Sequence, residues 1–214
     1  VARTLTAARS ELAAADPVMA ELIERLGDRS VATRRRGAPK PDAYGALLRT
    51  VVAQQVSSKA ARAIYQRVLD LFGGTTPSPD QILTTSEADL RGAGLSGRKV
   101  EYIRDLAAHV KSGELELDRL DELSDEEVIE EIVAVRGFGR WSAEMFLTFH
   151  LERPDVISGG DLGIRRSIQL NCGLDELPSP QEVEEISQRW RPHRSLAAIY
   201  LWESLADDVT VGGT

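Results

Sequence analysis

The chain of 214 residues is long enough to bury a core and to form one or two domains. Its single cysteine, Cys172, excludes a disulfide framework, a four-cysteine iron–sulfur cluster and a cysteine zinc site, and His109, His150 and His193 are too scattered to build a metal centre. The net charge of −8 argues against a uniformly basic surface, but ten of the acidic residues lie between Glu114 and Glu131, opposed only by Arg119, so the rest of the chain is nearly neutral.

Residues 3 to 26 predict helix, with Leu5, Leu12, Met19, Leu22, Ile23 and Leu26 as the apolar positions and Asp16-Pro17 restarting the run. Arg34-Arg35-Arg36, followed by Gly37, Pro39 and Pro41, reads as a basic loop, either solvated or facing phosphate. From Tyr44 to Phe72 the apolar spacing is helical: Leu47, Leu48, Val51, Val52, then Ile64, Val68 and Leu71. The polar stretch Gln54-Gln55-Val56-Ser57-Ser58 interrupts it and predicts a break, with Ser57 or Ser58 capping the second helix. Gly73 to Pro79 is a loop. Arg91-Gly92-Ala93-Gly94 is either a corner or a second phosphate-facing turn. Arg98 and Lys99 follow it at a helix start, where cations oppose the dipole.

Ser124-Asp125-Glu126-Glu127 has the pattern of a capping box. Val128, Ile129, Ile132 and Val133 then recur at helical spacing, as do Ala143, Phe146, Leu147 and His150 further on. Between them stands Val135-Arg136-Gly137-Phe138-Gly139-Arg140-Trp141. This predicts a helical hairpin whose two glycines permit a tight turn and close backbone approach. The first turn of the second helix would present N–H groups and the positive dipole end, which suit a phosphate. On spacing alone, a packing corner is an equal reading. Beyond it, Ser158-Gly159-Gly160-Asp161 leads into a helix over Leu162 to Leu170, with Asp161 as its N-cap. Residues 181 to 206 are helical and broken at Pro192, with Trp190 in the core. Little strand pattern is present, so the fold class is all-α.

The hairpin, followed after about twenty residues by Gly159-Gly160-Asp161, resembles the helix-hairpin-helix DNA glycosylases, and within them the 3-methyladenine DNA glycosylase II group that repairs alkylated bases. The likeness runs from about Tyr44 to Trp202. It implies two helical subdomains with an active-site cleft between them. Residues 43–153 would carry the hairpin; 1–42 plus 154–214 would carry the catalytic acid. An additional N-terminal αβ domain found in a relative is expected to be absent.

The resemblance puts the catalytic carboxylate on Asp161 and the base pocket at Trp141, Trp202, Met145 and Leu162. Met145 and Leu162 stand where a relative has tyrosines, so fewer rings would line the pocket. Gly160 stands where close relatives often have a second acid. The gap left by an extruded base would be filled from Gln55, with Val56 and Ser57 as alternatives, and Gln54 would approach the opposite strand or the minor-groove edge. Gln55 is polar where a relative has an apolar wedge. Gly137 and Gly139 would face DNA, and Arg140 a phosphate or an acidic partner. Glycosylases that also cut the backbone carry a lysine where Trp141 stands, so a monofunctional hydrolase is expected. Hairpin carbonyls of Val133, Val135 and Phe138 would hold a structural Na+ or K+; no other cofactor is implied.

The expected function is excision of alkylated bases from double-stranded DNA by base flipping. The protein is expected to be a soluble monomer, cytoplasmic, nucleoid-associated in a bacterium, and without membrane contact. The alternatives are a non-catalytic helix-hairpin-helix DNA-binding module and a glycosylase for another lesion class.

Overall fold

The computed structural model describes residues 2–27 and 42–211, and every regular element among them is helical. Arg34 to Arg36 lie outside the described residues. The chain divides into two compact units: residues 2–27 with 152–211, and residues 42–151.

The first unit is assembled from both ends of the described chain. Helix α1 spans Ala2–Ala15 and α2 spans Pro17–Leu26. Asp16 separates them: its carboxylate accepts the Val18 N–H at 2.8 Å, and Pro17 occupies a first-turn position where no N–H is needed. The same carboxylate, only 2% exposed, accepts the Trp190 indole N–H at 2.7 Å, so the cap also ties α2 to a segment 174 residues further along. Leu12, Met19, Leu22, Ile164, Ile168, Val183, Trp190, Tyr200 and Leu201 fill the core.

Three further helices complete this unit: α10 (Leu162–Cys172), α11 (Pro180–Ser187) and α12 (Arg194–Val211). A short 3-10 turn at Gln188–Trp190 and a cis Arg191–Pro192 bond separate the last two, at the break that Pro192 predicts.

The second unit begins with α3 (Ala43–Ala53) and α4 (Ser58–Leu71), interrupted at the polar stretch. Ser57 is the cap, accepting the Ala60 N–H at 3.2 Å. Two short helices follow, α5 (Pro79–Thr84) and α6 (Glu87–Gly92), then α7 (Gly97–Ser112). The hairpin is α8 (Asp125–Ala134) and α9 (Arg140–Phe149). The capping box at Ser124 and Glu127 is present as the sequence predicts. Leu47, Leu48, Val51, Val52, Ile103, Leu106, Val128, Ile132 and Leu147 are buried in its core. Gly92-Ala93-Gly94 is a packing corner. Gly94 has φ +101, a Cβ there would lie 2.6 Å from the Arg67 guanidinium, and Arg67 Nε donates to Ala93 O at 2.9 Å. Among the described residues, no helix is long and apolar enough to cross a membrane.

Candidate active site

In the first unit, the segment leading to Asp161 is held tightly. Val156, Ile157 and Ser158 are buried, and the Asp161 N–H donates to Ser158 O at 3.0 Å. Gly159 has no room for a side chain: a Cβ there would lie 2.7 Å from the carbonyl oxygen of Pro180. Asp161 is the N-cap of α10, and its Oδ1 accepts the Ile164 N–H at 2.8 Å. The Trp202 indole N–H, from α12, donates to the same Oδ1 at 2.9 Å.

This second bond needs Gly163 in the first turn of α10. A Cβ at 163 would lie 3.0 Å from Asp161 Oδ1 and 3.1 Å from Trp202 Cδ1, so the indole lies on the bare backbone. One turn further along, α10 and α12 are pinned by hydroxyls: Ser167 Oγ and Ser204 Oγ lie 2.8 Å apart, and the Asn171 amide donates to both, at 3.1 and 3.2 Å. Leu162, next to the carboxylate in sequence, is 65% exposed. This corner fixes a carboxylate by two donors beside an aromatic face and an exposed apolar side chain. Such an arrangement can stabilise a developing positive charge and orient a water.

In the second unit, the hairpin turn is shaped by Gly137, at φ +92. A Cβ there would overlap the Tyr102 ring, so only glycine lets α7 and the turn meet. The Arg136 N–H donates to Asp105 Oδ2 at 2.7 Å, fixing the turn to α7 a second time. Gly139 is the N-cap of α9 and supplies no side-chain acceptor to its first turn; its carbonyl accepts the Ser142 N–H at 2.9 Å. Open space surrounds its α-carbon. Arg140 is held by two carboxylates, Glu126 (3.0 Å) and Glu144 (3.1 Å). The guanidinium holds the Glu126 carboxyl below its usual range and is itself raised by it. Of the two expectations for Arg140, the acidic partner is thus present within the chain.

The turn at 54–57 faces the hairpin turn. The Gln54 amide donates to Gly137 O at 2.8 Å, so this side chain is engaged inside the unit. Gln55 has φ +55 and is exposed, as are Val56 and Ser57. A cavity of about 370 Å³ lies here, lined by Gln54, Gln55, Arg98, Lys99, Tyr102 and Trp141 among others. Trp141 is 45% exposed, whereas Met145, one turn along, is half-buried.

Val133 lies in the last turn of α8 and Val135 is its C-cap, so their carbonyls sit at the negative end of a helix dipole. Val135 O accepts the Phe138 N–H at 3.2 Å, and a carbonyl oxygen keeps a second lone pair. These hard oxygen donors suit a monovalent cation in chemistry. Among the described residues, no group of three or more His, Cys, Asp or Glu side chains could hold a metal ion.

Sequence reasoning did not find Gly163, Tyr102 or the particular use of Lys99. The first leaves no periodic signal. The other two act through partners distant in sequence.

Residues 48–193 match the family model of the HhH-GPD superfamily base excision DNA repair protein. The chain is similar to DNA-3-methyladenine glycosylase 1 of Schizosaccharomyces pombe, 33% identical over 211 residues, covering 97% of this chain and 91% of the relative. It is also similar to a DNA-3-methyladenine glycosylase of Saccharomyces cerevisiae, 33% identical over 180 residues, covering 78% of this chain but 59% of that protein. Among solved structures, it resembles a Schizosaccharomyces pombe 3-methyladenine DNA glycosylase in complex with abasic DNA. The TM-score is 0.81 at 32% identity, covering 92% of this chain and 95% of that one.

Proposed function

The chain belongs to the HhH-GPD superfamily of base excision DNA repair proteins, and on that premise we propose that it is a DNA glycosylase excising alkylated bases of the 3-methyladenine and 7-methylguanine type from double-stranded DNA. The observation that carries the reading is the doubly bonded carboxylate of Asp161 beside the Trp202 ring. Cleaving an N-glycosidic bond builds positive charge on the deoxyribose. Asp161 stabilises that charge and orients the attacking water. The water oxygen bonds to the sugar carbon as the base leaves with the electron pair of the broken bond, and the proton the water loses passes to the Asp161 carboxylate.

Alkylation at a ring nitrogen makes the base cationic and a good leaving group, so little acid catalysis is needed. What is needed is extrusion and retention of the base. Trp202 and Trp141 each offer an aromatic face suited to a cation, with Met145 on the helix of Trp141 and Leu162 beside Asp161 as apolar side chains. No lysine stands at position 141 to form a Schiff base, so water is the nucleophile and the strand is left uncut.

Gln55, with Val56 and Ser57, fills the space the base vacates, while Gln54 braces that turn. The N-terminus of α9, at Gly137, Gly139 and Arg140, takes a backbone phosphate. The carbonyls of Val133, Val135 and Phe138 would hold Na+ or K+, which supplies positive charge toward a DNA phosphate. The protein works as a cytoplasmic monomer.

The test is release of free base from methylated duplex DNA by the wild type and by Asp161→Asn, with affinity for abasic-analogue DNA measured in parallel. Release lost with binding retained is the expected result. A wild type that binds DNA but releases neither base refutes the substrate assignment.

A further inference from the structure

Lys99 is nearly buried in the wall of the cavity beside the 54–57 turn. It is 9% exposed on α7, and its ammonium donates to Val52 O at 2.7 Å. Among the described residues no carboxylate pairs with it. Partial desolvation lowers its pKa. A leucine or methionine would fill the same space without that cost, so the position calls for the ammonium itself.

The carbonyl it serves explains why. Val52 lies in the last turn of α3. Were the helix to continue, the Val56 N–H would bond this oxygen. Instead the chain leaves the helix at Gln54, with ψ 132, and enters the left-handed region at Gln55. The Lys99 ammonium takes the place of the missing N–H and sets a cation against the negative end of the α3 dipole. The turn is then braced at two points, by Lys99 on Val52 O and by the Gln54 amide on Gly137 O. Gln55 and Val56 project from between these braces, exposed.

We infer that Lys99 is a positioning residue for base extrusion: by replacing the absent helical N–H on Val52 O, it holds the Gln54–Gln55 turn in the pose that enters the duplex. This rests on the glycosylase reading above. It assigns Lys99 no contact with the reacting atoms. Its effect therefore depends on how much work extrusion requires. A well-paired lesion needs the turn in place, whereas a mismatched one is already partly unstacked.

The experiment compares wild type and Lys99→Met in single-turnover release of 7-methylguanine, paired with cytosine in one duplex and mismatched with thymine in another. Melting followed by circular dichroism verifies the fold. The expected result is a loss of about ten- to a hundredfold on the paired lesion, with a much smaller loss on the mismatched one. In a Gln55→Ala background, Lys99→Met should add little further loss on the paired lesion. Equal losses on both duplexes, or no loss on either, overturn the inference. If Lys99→Met does not fold, Lys99→Gln is measured in the same way, and failure of both to fold assigns Lys99 to the core alone and also overturns it. A wild type without release on either duplex sinks the glycosylase reading instead, so the two failures are distinct.

Discussion

The indole N–H of Trp202 and the backbone N–H of Ile164 converge on one oxygen of Asp161, at 2.9 and 2.8 Å. Trp202 is thus more than a stacking surface: it holds the carboxylate. Replacing it with phenylalanine keeps a ring and removes the donor. Hydrogen bonds to charged groups contribute about 1.5–3 kcal/mol, so Trp202→Phe should slow single-turnover base release by about ten- to a hundredfold. Affinity for abasic-analogue DNA should change little. An unchanged rate would reduce Trp202 to its aromatic face.

The two hairpin glycines should separate cleanly. Gly137 combines φ +92 with a Cβ direction blocked by the Tyr102 ring. Gly137→Ala should destabilise the protein by about 2 kcal/mol or more, visible as a lowered Tm. Gly139 has φ −118 and open surroundings. Gly139→Ala should cost at most about 1 kcal/mol as an altered cap. Its DNA affinity should nevertheless fall, because the added methyl stands in the open space at the positive end of the α9 dipole, where a phosphate would approach. Normal binding by this variant would remove the α9 N-terminus from the DNA surface.

Arg140 is held by Glu126 and Glu144, which limits its use on a phosphate. Glu126→Gln removes the exposed competitor. Tighter DNA binding at low salt is the expected outcome, with the salt slope steeper by up to about 0.9, the increment for one more phosphate neutralised. Titrations at several salt concentrations would test this, and an unaltered slope would leave Arg140 outside the DNA contact.

Part of the acid sensitivity should lie at the start of the hairpin, as it should at the matching Ser179–Glu182 capping box. The Ser124 hydroxyl, and then its backbone N–H, hold the Glu127 carboxyl below its ordinary value of 4.5. A lowered folded-state value means that the unfolded chain takes up the proton first as pH falls. The contribution is therefore full above about pH 4.5 and lost as pH drops through the folded value. Glu127→Ala should lower Tm at neutral pH, and its difference from wild type should vanish in acid. A difference that persists at low pH would mean that the capping bond is not its source.

What could be read in the sequence was local chemistry. Asp16-Pro17, Ser57, Ser124 with Glu127, and Asp161 all cap helices where their spacing predicts, because a cap bonds within three residues of itself. The pairings that shape the site span longer gaps and leave no such trace. Trp202 meets Asp161 across 41 residues, and Lys99 meets Val52 across 47. Glycine patterns show the same limit. Gly92-x-Gly94 and Gly137-x-Gly139 look alike in sequence, yet one packs under Arg67 and the other under Tyr102 beside an open helix start. Gly163 was invisible because its role is to be absent from a space that two other residues fill.

The two units differ in how they are laid out along the chain, and this bears on biosynthesis. Residues 42–151 form a continuous stretch, so the hairpin and its core can consolidate while the ribosome is still at work. The other unit packs α2 against α12, so its first helices wait for its last. Asp161 acquires its Trp202 donor only when residue 202 has been made. The carboxylate corner is therefore completed later in synthesis than the hairpin, and a chain cut before Trp202 would hold the hairpin without the completed corner.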